Sequence, residues 1–365
     1  MTISYSQASD IANFSLEYYM RGPSKAQTIQ DKPLLQILQQ YEKPFAGGGG
    51  ASHRITIGVH GSFLSDTVPL QGLTHDTELT FNRSQNLDKA SYDWKAQAYN
   101  LLISEQELLE GGINVTDDMQ ASPLSKNELS IITNIMEERV KDFMESWARN
   151  KNKMFWQDGS QDALHTPGLM SIITDEGLGD TVGLINSATK TWWHNRCRVG
   201  ARAYTSGYNA LTSPTGPKIT ASKTDQTLTR FMRAEQRQLR RYGGKPSVLL
   251  CGSLFLDALE YEFESKGQYT QTGFNKGTND IGMAQIAING IGTFQYDPTL
   301  DDFGMSKRCY IFDPAAIYRK PIEGNSDKMR APTRPAEYLV FLKTITDASA
   351  LVCERRNCNG VYEVA

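Results

Sequence analysis

The most regular hydrophobic pattern in the chain lies between residues 125 and 151. Leu129, Ile132, Met136, Val140, Phe143 and Trp147 follow one another at steps of 3, 4, 4, 3 and 4, which puts all of them on one face of an α-helix. Ser125 and Glu128 stand at the capping-box spacing that satisfies the free amides of a first turn. Glu137 with Lys141 and Glu145 with Arg149 add ion pairs on the polar side, each contributing only about 0.2–0.5 kcal/mol. The spacing predicts a helix over 125–151, about 40 Å long at 1.5 Å per residue, whose apolar stripe must pack against something else.

A period of two replaces it in His53 to His60, where Ile55, Ile57 and Val59 alternate with other residues, as in a half-buried strand. Leu79–Phe81 and Tyr92–Ile103 supply returning strands, so 51–104 reads as a long two-stranded excursion. A hairpin of that kind is marginally stable by itself and needs a neighbour. Past Thr166-Pro167-Gly168, helices are expected near 186–195, 224–242 and 253–265, and strands at Ser247–Cys251, Gly292–Tyr296, Arg308–Phe312 and Tyr338–Ile345. Leu351 to Cys353, a turn at Asn357–Gly360 and Val361 to Val364 close the chain. Residues 1–50 are different, broken by Gly22-Pro23, Lys32-Pro33, Lys43-Pro44 and the run Gly47, Gly48, Gly49, Gly50. Those breakers leave room for a short amphipathic turn at Asn13–Met20 and a short helix from Leu34 to Tyr41. The glycine run marks a hinge. The result is an α+β chain led by an N-terminal arm.

Composition narrows the function classes. At 365 residues the chain is long enough for more than one compact unit. Its 39% hydrophobic and 22% charged content fits neither a disordered nor a membrane-embedded protein, and no apolar run approaches the ~18 residues of a spanning helix. Cys197, Cys251, Cys309, Cys353 and Cys358 show no CxxC spacing and read as free thiols in a reducing compartment. A net charge of −3 argues against a protein that coats nucleic acid by neutralising it. It leaves open a container whose contents are neutralised by small cations. The start, Met1 to Ser6, lacks the basic-then-apolar layout of a signal peptide.

For catalysis the sequence offers little. His194 and Cys197 form an HxxC pair that supplies half a zinc site, without evident further ligands. Gly273 to Thr278 has the glycines of a phosphate-binding loop, but Lys276-Gly277-Thr278 is in the wrong order for one. Asp117-Asp118 and Asp301-Asp302 read as loop carboxylates. No nucleophile stands with its base, so no catalytic residue, cofactor or metal is assigned. The stronger constellation lies on the helix expected at 224–242. Steps of 100° gather Leu228, Phe231, Met232, Leu239 and Tyr242 on one arc and Arg230, Arg233, Arg237, Arg240 and Arg241 on the opposite one. Gly243-Gly244 closes the helix, and the last arginines suit the negative end of its dipole. The arginines read either as a solvated face or as a surface for acidic groups of a neighbouring subunit or for DNA. Glu235 falls inside the apolar arc and, if buried, requires a partner.

An arm, a long hairpin, a strut helix and an α/β unit in this order resemble the tailed-phage major capsid proteins of the Hong Kong 97 type. Ala90-Ser91-Tyr92-Asp93-Trp94-Lys95 leading to Leu102-Ile103-Ser104-Glu105-Gln106-Glu107-Leu108 is similar to the family's return strand. Phe155 to Ser160 followed by Thr166-Pro167-Gly168-Leu169 resembles the junction after its spine helix. Thr191-Trp192-Trp193-His194-Asn195, Lys245 to Leu250, Gly290 to Asp297 and Cys309 to Asp313 resemble further phrases in the expected order. The resemblance covers roughly 90–365 by phrase and 1–89 by architecture alone. It implies an arm at 1–50, an extended loop at 51–104, a peripheral domain at 105–165 with the spine helix, an axial domain at 166–313, and return strands at 314–365. It also implies that copies of the chain close an icosahedral shell of hexamers and pentamers around a double-stranded genome in the host cytoplasm. A separate scaffold, a portal and a decoration protein would be the further partners, and packaged DNA would be contacted without sequence preference. An encapsulin-like compartment and, less well, a soluble α/β enzyme are the alternatives.

Overall fold

The computed structural model describes residues 29–46, 54–61, 70–78, 87–104, 106, 126–176, 179–199, 202–204, 228–266, 285–288, 291–330 and 340–364. They form two compact units, one from residues up to Gln30, Ala96–Lys151 and Gly324–Ala348, the other from Asp31–Lys95, Asn152–Glu323 and Ser349–Ala365.

The first unit is built on the predicted helix. It runs from Lys126 to Trp156 (α2, following α1 at Pro33–Gln40), five residues further than its periodicity indicated. No glycine or proline interrupts it before Gly159, and Met154, Phe155 and Trp156, which belong to the second unit, are buried there and hold the last turn. Within the first unit Phe143 and Trp147 pack with Ile345, Tyr99 and Leu101, and Tyr99 stacks on Phe143 at 5.3 Å between ring centroids. Val140 is half-buried, and the side chains of Leu129, Ile132 and Met136 lie outside those described. Facing the helix are β3 (Lys95–Ser104), β13 (Lys328–Met329) and the first part of β14 (Val340–Cys353), with β3 and β13 both paired to β14. Lys151 is buried and bonded to Asp327 at 2.5 Å and to Asp347 at 3.2 Å. Trp147 Nε1 donates to the same Asp327 at 3.0 Å, so a cation in an apolar setting has its compensating charges.

The second unit centres on a seven-stranded mixed sheet. Its order is β7 (Arg202–Tyr204), β6 (Arg196–Val199), β15 (Gly360–Glu363), β11 (Arg308–Phe312), β8 (Val248–Cys251), β10 (Gly292–Tyr296) and β9 (Gln285–Ile288). The central strands read as nearly continuous apolar runs because both faces are covered. On one face α4 (Leu228–Arg240) and α5 (Ser253–Lys266) bury Leu228, Phe231, Met232, Phe255 and Leu259 against Leu249, Cys251, Phe294 and Ile311. The alternate residue Tyr310 meets the edge of Trp156, with centroids 5.1 Å apart. Trp156 Nε1 in turn donates to buried Asp297 at 2.9 Å, the N-cap of α6 (Pro298–Asp302).

Three sequence expectations change. Residues 33–45, expected as part of an arm without a core, are docked on this unit. Leu34, Leu35 and Leu38 of α1 are buried, Leu35 N donates to Asn152 Oδ1 at 3.1 Å, and Lys43 N and Phe45 N bond to the carbonyls of Arg319 and Pro321 at 3.0 Å. Gly47 to Gly50 lie outside the described residues. The hairpin is formed by β1 (Arg54–His60) and β2 (Leu87–Asp93), in register from Arg54↔Asp93 to His60↔Leu87; β3 leaves it after Trp94 for a different sheet. The helix expected at 186–195 does not form: Asn186 ends β5 (Ile185–Asn186), which pairs antiparallel with β4 (Thr181–Val182), and turns follow to Asn195. There Asn186 Oδ1 accepts from Ala188 N at 2.7 Å, the side-chain competition that turns asparagine away from helices.

Gly168 illustrates how tightly α3 (Leu169–Ile172) follows the spine. A Cβ there would lie 2.3 Å from Phe155 O and 2.6 Å from Gln157 O, both backbone atoms that cannot swing aside. Gly168→Ala should cost about 1–3 kcal/mol, read as a lowered urea midpoint with an unchanged slope.

Candidate functional surfaces

The arginine helix forms as expected and is described from Leu228 to Arg240, residues 224–227 lying outside the described residues. In its first described turn Thr229 N donates to the buried Glu262 of α5 at 2.9 Å. Arg230, Arg233, Arg237, Arg240 and Arg241 are all exposed. Among the described residues none of them makes an ion pair; Arg241 lies over the Tyr242 ring at 5.4 Å. Glu235 is buried on the opposite side and finds its partner on β6. Arg196 meets it with Nε at 2.6 Å and Nη2 at 3.0 Å, and Tyr362 Oη donates at 3.0 Å. Burial, reinforced by Glu235, pushes the Tyr362 hydroxyl well above its ordinary range. Among the described residues the α4 face is therefore cationic without an ion-pair partner, the helix's one carboxylate being spent on Arg196.

A second cationic contribution comes from the chain's far end. Arg355 is exposed and its Nη1 donates to Gly243 O at 3.3 Å, just past α4, and Lys245 next to it is exposed as well. Sequence reasoning missed both, since no local pattern links residue 355 to residue 243.

The base of the hairpin is the other built surface. Ser91 N donates to Gly183 O at 2.9 Å, Lys190 pairs with Asp88 at 3.0 Å, and Tyr92 Oη donates to Cys353 O at 3.0 Å. Gly61 lies so close under Trp192 that a Cβ would be 2.1 Å from the indole. Behind this cradle, buried Arg356 donates to Asp180, to Ile172 O and Thr174 Oγ1 at 2.8 Å, and to Asn195 Oδ1 at 2.9 Å. Asp180 also accepts from Ser187 Oγ and from Thr174 Oγ1. Burial pushes its carboxyl up, but hydrogen bonding and charge from Arg356 outweigh that and hold it below the ordinary carboxylate value. In the segment between β1 and β2, Leu70 and Leu73 are 102% and 65% exposed.

The candidate chemistry disperses. His194 and Cys197 are both buried, Cys197 Sγ lies 3.7 Å from Glu176 O, and no group of three or more metal-binding side chains occurs among the described residues. Asp301 is structural, accepting from Ser253 N at 3.1 Å and Tyr296 Oη at 2.7 Å; Asp302 pairs with Lys153 at 3.5 Å. Gly273–Thr278 and Asp117-Asp118 lie outside the described residues. All five cysteines are free and buried. Burial raises the thiols of Cys309 and Cys353 and pushes Cys358 up to about 12, which suppresses the reactive thiolate. No helix among the described residues is long and apolar enough to cross a membrane.

No family model and no curated protein matches the sequence. Solved structures do. A chain of the cyanophage A-1(L) capsid asymmetric unit matches with a TM-score of 0.61 at 12% identity, over 93% of this chain and 94% of that one. The capsid of the native GTA particle matches with a TM-score of 0.50 at 9% identity, over 95% and 96% of the two chains. A chain of Mycobacterium phage Bobi does so at 0.50 and 9%, over 100% and 99%. Nearly end-to-end coverage at such low identity means that the architecture is shared while the side chains are not. The chain has the Hong Kong 97-type fold of the tailed-phage capsid proteins.

Proposed function

We propose that this protein is the major capsid protein of a tailed double-stranded DNA phage, a structural subunit whose copies form the hexamers and pentamers of an icosahedral virion shell. The observation that carries the reading is the match to a cyanophage capsid chain over 93% of this chain and 94% of that one. The hairpin supports it. Two strands alone are marginal, and Leu70 and Leu73, in the segment between β1 and β2, stand in solvent. A neighbouring copy is the natural cover, and repeated head-to-tail contacts close rings. A scaffold and a portal would act during assembly, with a decoration protein as an optional outer partner.

Negative-stain electron microscopy of the protein expressed alone, and together with the genes beside it, tests this. Closed polyhedra or capsomer rings are expected; a small monodisperse oligomer under both conditions would overturn the reading. Particles filled with protein cargo instead of DNA would favour the encapsulin-like alternative. Leu70→Ser with Leu73→Ser should leave subunit stability within about 0.5 kcal/mol, as for other exposed sites. It should lower the yield of closed particles by more than about tenfold, because burying one leucine contributes roughly 1.5–3 kcal/mol.

A further inference from the structure

The cations around the end of α4 are arranged in a way that the fold does not require. Arg233, Arg237 and Arg240 follow at steps of 4 and 3 on one exposed face, with Arg241 beside them. Exposed Lys245 and Arg355 continue the positive charge past the helix end. The dipole accounts for cations in the last turn, but not for Arg233 a full turn earlier or for Arg355 brought in from 112 residues away. Among the described residues α4 places no carboxylate on this face, since Glu235 is buried on Arg196. All but one of these cations are arginines, the side chain whose planar fork bonds phosphate oxygens in pairs. From Arg233 to Arg241 the helix advances about 12 Å, enough to follow several phosphates of one strand.

We propose that Arg233, Arg237, Arg240, Arg241, Lys245 and Arg355 form a ridge that binds the phosphate backbone of duplex DNA without reading its sequence. The identification of that DNA as the packaged genome rests on the capsid reading above. Carboxylates at similar steps occur on α2 (Glu138, Asp142, Glu145) and on α5 (Asp257, Glu260, Glu264), so a second copy of the chain is the alternative occupant that the test must separate; the planar arginine forks favour phosphate. A net charge of −3 is compatible with such a ridge, as a local patch attracts phosphates while the rest of the wall stays weakly repulsive.

The test is fluorescence anisotropy of a labelled 25-base-pair duplex with the full-length protein between 50 and 200 mM KCl, alongside negative-stain images of the same samples. Six phosphate contacts predict roughly a thousandfold loss of affinity across that range. Arg237→Gln with Arg240→Gln and Arg241→Gln should flatten the salt slope by about three, one per contact. Lys245→Gln with Arg355→Gln should flatten it by about two, with circular dichroism matching wild type in both. No binding by wild type, or slopes unchanged in both variants, overturns the proposal. So does loss of capsomer rings in the variants with DNA affinity intact, which would make the ridge a subunit contact. If wild type forms no rings but its DNA binding still depends on these residues, the capsid reading falls and the ridge stands.

Discussion

Glu235→Ala is expected to destabilise the larger unit by about 3–5 kcal/mol, the range for breaking a buried ion pair by removing one partner. The carboxylate is 5% exposed, and its removal strands the Arg196 guanidinium, whose side chain is 7% exposed, between β6 and α4. It also deprives Tyr362 Oη of its acceptor. The loss is chiefly the desolvation of an orphaned charge and not the worth of the contact. Two comparisons separate these. Glu235→Gln keeps a hydrogen-bonding group but not the charge, and should fall between wild type and alanine. The double variant Glu235→Met with Arg196→Met removes both charges at similar volume and should recover most of the stability. Urea denaturation measures all three, with the midpoint reporting stability and the slope the exposed surface. An alanine variant within about 0.5 kcal/mol of wild type, the range of surface substitutions, would show that the pair is effectively solvated.

Arg356→Ala should be at least as damaging, again about 3–5 kcal/mol, and its pH dependence is diagnostic. In the wild type the Asp180 carboxyl is held below its ordinary value of 3.8, because Arg356, Ser187 and Thr174 outweigh the upward push of burial. A carboxylate with a depressed folded value contributes stability that is complete above the unfolded value and is lost as pH falls through the folded one. Wild type should therefore lose this contribution only below about pH 4. Without Arg356, only the hydrogen bonds from Ser187 and Thr174 remain to oppose burial. The folded value rises from its wild-type position, so the variant gains less stability than wild type as pH rises from acid. The gap between wild type and Arg356→Ala should thus widen from pH 3 to pH 6. A gap constant across that range would show that Asp180 is not the group that Arg356 serves. The same substitution should loosen the hairpin base, since Asp180 and Ser187 flank the β4–β5 turn on which Ser91 and Tyr92 rest. Faster proteolysis within the hairpin than in the sheet is the accompanying expectation.

The neighbouring structures share the fold at 12% identity or less among the three compared, and the pattern of what was legible fits that. Layered burial survives wholesale side-chain change, provided that apolar positions keep their period. Specific polar pairs do not, and pairs such as Arg196 with Glu235 or Arg356 with Asp180 had no local mark. Glu235 could be recognised as needing a partner from its place in the apolar arc, yet Arg196 lies 39 residues earlier on another element.

By itself the sequence determined the long helix, the arginine-faced helix and strands such as Gly292–Tyr296 and Arg308–Phe312, found within those bounds. Each is written as a local alternation of apolar and polar positions, and burial of one stripe or one run suffices to specify it. Only the tertiary structure decided that residues 33–45 dock on the second unit, that Asn186–Asn195 turns instead of coiling, and that β14 extends to Cys353 by pairing with β3, β12 (Ile317–Pro321) and β13. It alone placed Arg355 beside Gly243. Those outcomes depend on partners far away in the chain, and hydrogen-bond and charge complementarity between distant segments leaves no periodic trace in either one.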